Sequence, residues 1–109
     1  MPVNYKILGQ SNPAANTTTT AYTVPANTQT VVSTIAVANL SGNSSSFSIA
    51  ARQAGATLAN SMYLAYNTSI PPNDTINYTI GATLGNTDVV SVSSNTGAVT
   101  FTLFGSELS

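Results

Sequence analysis

Apolar residues in this chain recur at every second position, in short runs, and almost nowhere at the three-and-four spacing of a helix. Asn4 to Leu8 (NYKIL) is the first such run, followed by the turn-rich GQSNPAANTTTT. Ala21 to Val24 leads into a Pro25 turn. Thr30 to Leu40 (TVVSTIAVANL) is the longest run: strict alternation sets Val31, Ile35 and Val37 on one face and Val32, Ala36, Ala38 and Leu40 on the other. Both faces are apolar, as in a central strand covered on each side.

The pattern continues to the carboxyl end. Ser46 to Arg52 points Phe47, Ile49 and Ala51 inward, with Ser46, Ser48 and Arg52 outward. Ser61 to Asn67 puts Met62, Leu64 and Tyr66 on one face and Tyr63 and Ala65 on the other, and Thr75 to Ile80 turns Ile76, Tyr78 and Ile80 inward. Asp88 to Ser93 and Ala98 to Phe104 read as a hairpin joined through SNTG. Gln53 to Asn60 alone competes as a helix, but it is short and interrupted by glycine. The expected fold is all-β: a single β-sandwich, jelly-roll or Ig-like, of about eight antiparallel strands. Residues 1–109 form one domain, in which Met1 to Gln10 can also serve as an N-terminal arm.

Such a sandwich needs a polar exterior, and this one is built almost without charge. Charged residues are 5% of the chain, against about 25% in ordinary soluble domains. Between Lys6 and Arg52 there is none, while Ser, Thr and Asn fill about four positions in ten. With Lys6 and Arg52 as the only cations, a nucleic-acid partner and an anionic membrane surface are both excluded. No apolar run is long enough to span a bilayer, and MPVNYKILGQ lacks the pattern of a signal peptide.

Catalytic constellations are missing as well. Histidine and cysteine are absent, which removes the usual general base, the thiolate nucleophile and the soft metal ligands. Asp74, Asp88 and Glu107 show no spacing that pairs them, although Asp74 and Asp88 would approach if their loops shared one end of the sandwich. They read as turn-capping residues. Tyr63 and Tyr66, on opposite faces under strict alternation, do not form one aromatic stripe. The expectation is a non-enzyme without cofactor or metal.

An uncharged surface suits burial against neighbours. Charges at an interface centre must be desolvated, at several kcal/mol per ion, and interface cores are depleted of Lys, Glu and Asp. The chain therefore reads as one built to be covered in a large assembly. A monomeric sandwich whose composition reflects a nutrient-limited or high-salt organism is the plainer alternative.

The segments ILGQSNPAA, YTVPANTQTVVSTIAVAN, IPPNDTINYTIGATL, DVVSVSS and FTLFGSEL, in this order over nearly the whole chain, resemble small virion structural proteins of tailed bacteriophages, notably those of marine bacteria and cyanobacteria. The motifs are turns and strand cores and carry no catalytic residue. The resemblance implies a virion protein, assembled in the host cytoplasm, present in many copies as a homo-oligomer, with trimers at shell symmetry points a family-level expectation. A capsid decoration (cement) protein bound to the major capsid protein or other virion proteins is the leading expectation. A tail-associated fibre or baseplate adaptor is the alternative. Three regions are expected to make contacts: the arm through Tyr5 and Ile7, the loop of Pro71, Pro72 and Asn73, and the carboxyl end from Phe104 to Leu108.

Overall fold

A computed structural model describes residues 3–108 and shows eight strands. They are β1 (Val3–Ser11), β2 (Thr19–Thr23), β3 (Gln29–Asn39), β4 (Ser45–Arg52), β5 (Tyr63–Ile70), β6 (Thr75–Leu84), β7 (Val89–Ser94) and β8 (Val99–Leu108). Two four-stranded antiparallel sheets result, in the orders β1-β8-β3-β6 and β2-β7-β4-β5. Only the β4–β5 connection stays within a sheet; every other one crosses the sandwich. That interleaving is the jelly-roll arrangement of two Greek keys, which decides between the two sandwich types the alternation allows.

The inner faces meet over a core with aromatic rings at its centre. Phe47 of β4 stands edge-on to Phe101 of β8 and Tyr78 of β6, at centroid distances of 6.0 and 5.8 Å. Val32, Ile35, Val37, Ile49, Ile70, Val90, Val92, Val99 and Leu103 close the space around them. Each such side chain contributes roughly 1.5–3 kcal/mol on burial.

Strict alternation fails where strands bulge. Ser33 is an extra residue in β3 opposite β8, so Val32 turns inward with Ile35 and Val37 instead of opposing them. Its hydroxyl donates to the Phe104 carbonyl oxygen at 3.1 Å. β3 is central in its sheet, but Ala36 and Ala38 lie half-buried on an outer surface that no further layer covers among the described residues. The expected hairpin is also absent: β7 and β8 belong to different sheets, and the residues between them cross the sandwich. The arm proves to be β1, paired along its length to β8; Met1 and Pro2 lie outside the described residues. The Gln53–Asn60 competitor resolves into short 3-10 turns, Gln53–Gly55 and, at its edge, Asn60–Met62.

All four edge strands carry a bulge of their own: near Leu8 in β1, Ala21 in β2, twice in β5, and between Thr79 and Ala82 in β6. Bulges break the regular ladder that another chain would need for edge pairing. Close backbone approach also sets two glycines. A Cβ on Gly105, beside the β3 bulge, would overlap the Val31 carbonyl, and one on Gly9 would overlap that of Ala21.

Two polar residues tie the ends. The buried Asn39 carboxamide donates to the carbonyls of Asn43, Ile70 and Pro71 at 2.8, 3.3 and 3.1 Å and accepts from the Ser41 N–H at 3.0 Å. At the other end Asp88 accepts from the Ala54 N–H and the Gly85 N–H, both at 2.8 Å, while its carbonyl receives the Val24 N–H at 2.9 Å. Asp74 and Asp88 therefore sit at opposite ends, because the β5–β6 and β6–β7 connections do, and they cannot pair. Turns use Asn where the backbone needs positive φ, at Asn16, Asn27 and Asn73, and the β5 bulge does so at Asn67.

Truncating Asn39 to Ala strips several backbone groups of their partner at once. Asn39→Ala is expected to lower stability by about 2–4 kcal/mol, seen as an earlier urea midpoint with an unchanged m-value. A shift inside experimental error would show that the carboxamide does not hold this end together.

Candidate functional site

Two outer surfaces stand out, one on each sheet. On the β1-β8-β3-β6 sheet, Ile7 lies directly opposite Phe104, and Tyr5 opposite Ser106. Tyr5 is 85%, Ile7 52% and Phe104 39% exposed. With Val31 from β3 they line a mainly apolar concavity of about 630 Å³. Three of the residues expected at contacts are thus brought together, and Val31 joins them because the Ser33 bulge turns its neighbour Val32 inward.

The other expected residues are elsewhere. Leu108 is half-buried at the end of β8, opposite Val3 and Gln29, outside the concavity. Pro71, Pro72 and Asn73 are exposed in the β5–β6 turn, where the Asn73 N–H donates to the Ser41 carbonyl at 3.0 Å. That turn adjoins the far end of the eleven-residue β3, about 33 Å along the strand from Leu108's partner Gln29.

Beneath the apolar concavity lies a polar cluster. Lys6 reaches over the edge of β1 to the buried Glu107 carboxylate, Nζ to Oε1 at 2.8 Å. Tyr22 donates its hydroxyl proton to the other carboxylate oxygen, so Thr30, 2.9 Å away, must donate to Tyr22. The Lys6 ammonium, and then the Tyr22 hydroxyl, hold the Glu107 carboxyl below its ordinary value. Burial, and then the Glu107 carboxylate, push Tyr22 from 10.0 up to about 12. Both groups move away from neutrality, the reverse of what a general acid or base needs, so the cluster reads as a structural tie between β1, β2, β3 and β8.

On the β2-β7-β4-β5 sheet the structure overturns a second reading from alternation. β5 bulges at Leu64 and again across Tyr66 and Asn67, against β4. Asn67 takes φ 47° and donates its N–H to the Ser48 hydroxyl at 3.0 Å. The irregular ladder swings Tyr66 next to Tyr63, ring centroids 4.7 Å apart and planes at 71°. Together they wall a depression of about 230 Å³ floored by Ser46, Ser48, Ser93 and Asn95, with a second of about 340 Å³ on their other side beside Asn60. The one signal for this in the sequence is Asn67 itself, a residue type that tolerates positive φ, at the end of the alternating run.

Among the described residues, no group of three or more His, Cys, Asp or Glu side chains could hold a metal ion. Every charged side chain has an internal partner. Arg52 donates to the carbonyls of Ala56 and Gly55 at 2.7 and 2.9 Å, and to the Ser91 hydroxyl at 3.2 Å. Asp74 accepts from the Thr75 N–H at 2.8 Å.

A carboxyl with a lowered value stabilises the fold above its unfolded value, and that contribution is lost as pH falls through the folded one. A phenol raised to about 12 stabilises below 10.0, and this is lost as pH climbs towards 12. With no histidine or cysteine to titrate between them, the thermal midpoint is expected to be level from about pH 5 to pH 9 and to fall on either side. Glu107→Gln should shrink the acid limb. A midpoint that drifts across the neutral range would contradict the assignment.

No protein-family model, no curated protein and no solved structure matches this chain.

Proposed function

We propose that the chain is a non-enzymatic structural protein of a tailed-phage virion: a decoration, or cement, subunit that stabilises the shell through multivalent contacts with major capsid subunits. The observation that carries this reading is the exposed apolar concavity of Tyr5, Ile7, Val31 and Phe104, lined besides by Ser33, Gly105, Ser106 and a single charged residue, Lys6. Covering it removes apolar area from water with one flanking charge, Lys6, already paired to Glu107. The likeness of the chain's motifs to phage virion proteins supports the same reading.

Attachment would use a sheet face. The bulged edges disfavour strand addition, so the contact is side chain against side chain, modest at each site and repeated many times over a particle. Homo-oligomers about a symmetry point would bring several such faces to the shell at once.

Copy number in purified particles, measured by quantitative mass spectrometry against the major capsid protein, tests the proposal. A simple ratio near that of the shell subunit is the expected outcome. A count far below it would favour the tail-associated adaptor, and absence from particles would sink both. Phe104→Asp combined with Ile7→Asp, exposed and therefore compatible with folding, should reduce incorporation sharply. Because few charges take part, binding to stripped particles should change little up to about 0.5 M salt. A steep salt dependence would count against an apolar contact.

A further inference from the structure

We propose that the depression beside Tyr63 and Tyr66 binds a neutral saccharide. The two rings meet at 4.7 Å, and Tyr66 remains 62% exposed. An aromatic face held open beside polar groups offers an apolar surface and hydrogen bonds together. A pyranose ring presents the complementary pair: one face of C–H groups and a rim of hydroxyls.

The floor supplies that second half. Ser46 and Ser93 line it, and among the described residues their hydroxyls have no hydrogen-bond partner. Asn95 uses its carbonyl oxygen to accept the Ser46 N–H at 2.8 Å, which leaves its amide protons to donate. The Asn67 carboxamide adds another donor and acceptor at the rim. Hydroxyl and amide groups of this kind suit a polyol, which both donates and accepts.

Charge narrows the ligand class. Among the described residues, no Lys, Arg, Asp or Glu lines either depression. Phosphate, nucleic acid and acidic glycans would find no cation to meet their charge. A peptide adding to β5 would need a continuous ladder, and β5 is bulged twice.

Shape and rigidity agree. At about 230 Å³ the floor holds less than the roughly 300–1,000 Å³ of sites for drug-sized ligands. The second depression across the tyrosine ridge extends it, so a short oligosaccharide would run over both rings. The ridge stands on a bulge fixed by the Asn67 N–H to Ser48 bond, beside the central strands β4 and β7. Little ordering cost remains for binding.

The test uses the isolated chain, labelled with nitrogen-15 and titrated with maltohexaose, cellohexaose, mannohexaose and dextran, so its outcome is independent of particle incorporation. At least one probe is expected to give saturable shifts centred on the amides of Ser46, Asn67, Ser93 and Asn95. Tyr66→Ala should weaken that binding about ten-fold or more, Tyr66→Trp should keep it, and Tyr5→Ala on the opposite sheet should leave it unchanged. No saturable shift with any of these neutral probes, shifts centred elsewhere, or a Tyr66→Ala protein that is folded and binds normally would each overturn the proposal.

Discussion

Phe47 meeting Phe101 and Tyr78 across the sandwich is the contact on which the remaining structure depends. A four-stranded sheet with one apolar face has nowhere to bury it alone. The ring of β4 reaches both β8 and β6, so one residue spans two strands of the facing sheet. Around it the aliphatic side chains fill in, and the connections at the two ends must then cross from sheet to sheet. Asn39 and Asp88 make those crossings possible by giving the turn backbones partners that water would otherwise supply.

The scarcity of charge has a structural counterpart. Lys6 and Glu107 pair beneath the first strand, Arg52 and Asp88 pin the β4–β5 connection, and Asp74 caps the start of β6. All five act within the chain. The outside is left to hydroxyls, carboxamides and a few apolar side chains, which bind by shape and short-range contact. Such a surface gains little from long-range steering and adds little like-charge repulsion when repeated many times. Both proposed surfaces, the apolar concavity and the tyrosine ridge, follow that logic on opposite faces of one sandwich.

Bulges link architecture to surface. At Ser33 the insertion turns Val32 into the core and leaves Val31 outside beside Phe104. In β5 the insertions bring Tyr63 and Tyr66 together. The same irregularities interrupt the sheet edges, so a partner is offered side chains on a face in place of an unpaired ladder.

Much of the architecture was legible in the residues themselves. Phe47 and Ile49 lie in the core with Ala51 packed against it, and Ile76, Tyr78 and Ile80 pack there too, although Ser48 on the other face of β4 is also buried. Alternation and turn spacing therefore determined an all-β sandwich, and the absence of histidine and cysteine removed whole classes of chemistry. Period-two patterning is local, and it fails wherever one extra residue shifts the register. Whether Val32 opposes or joins Ile35, whether Tyr63 meets Tyr66, and which sheet receives β8 after β7 depend on partners distant in the chain. Those pairings arise only when both sheets close over a common core, and so the tertiary structure alone decided the jelly-roll order and the two surfaces it presents.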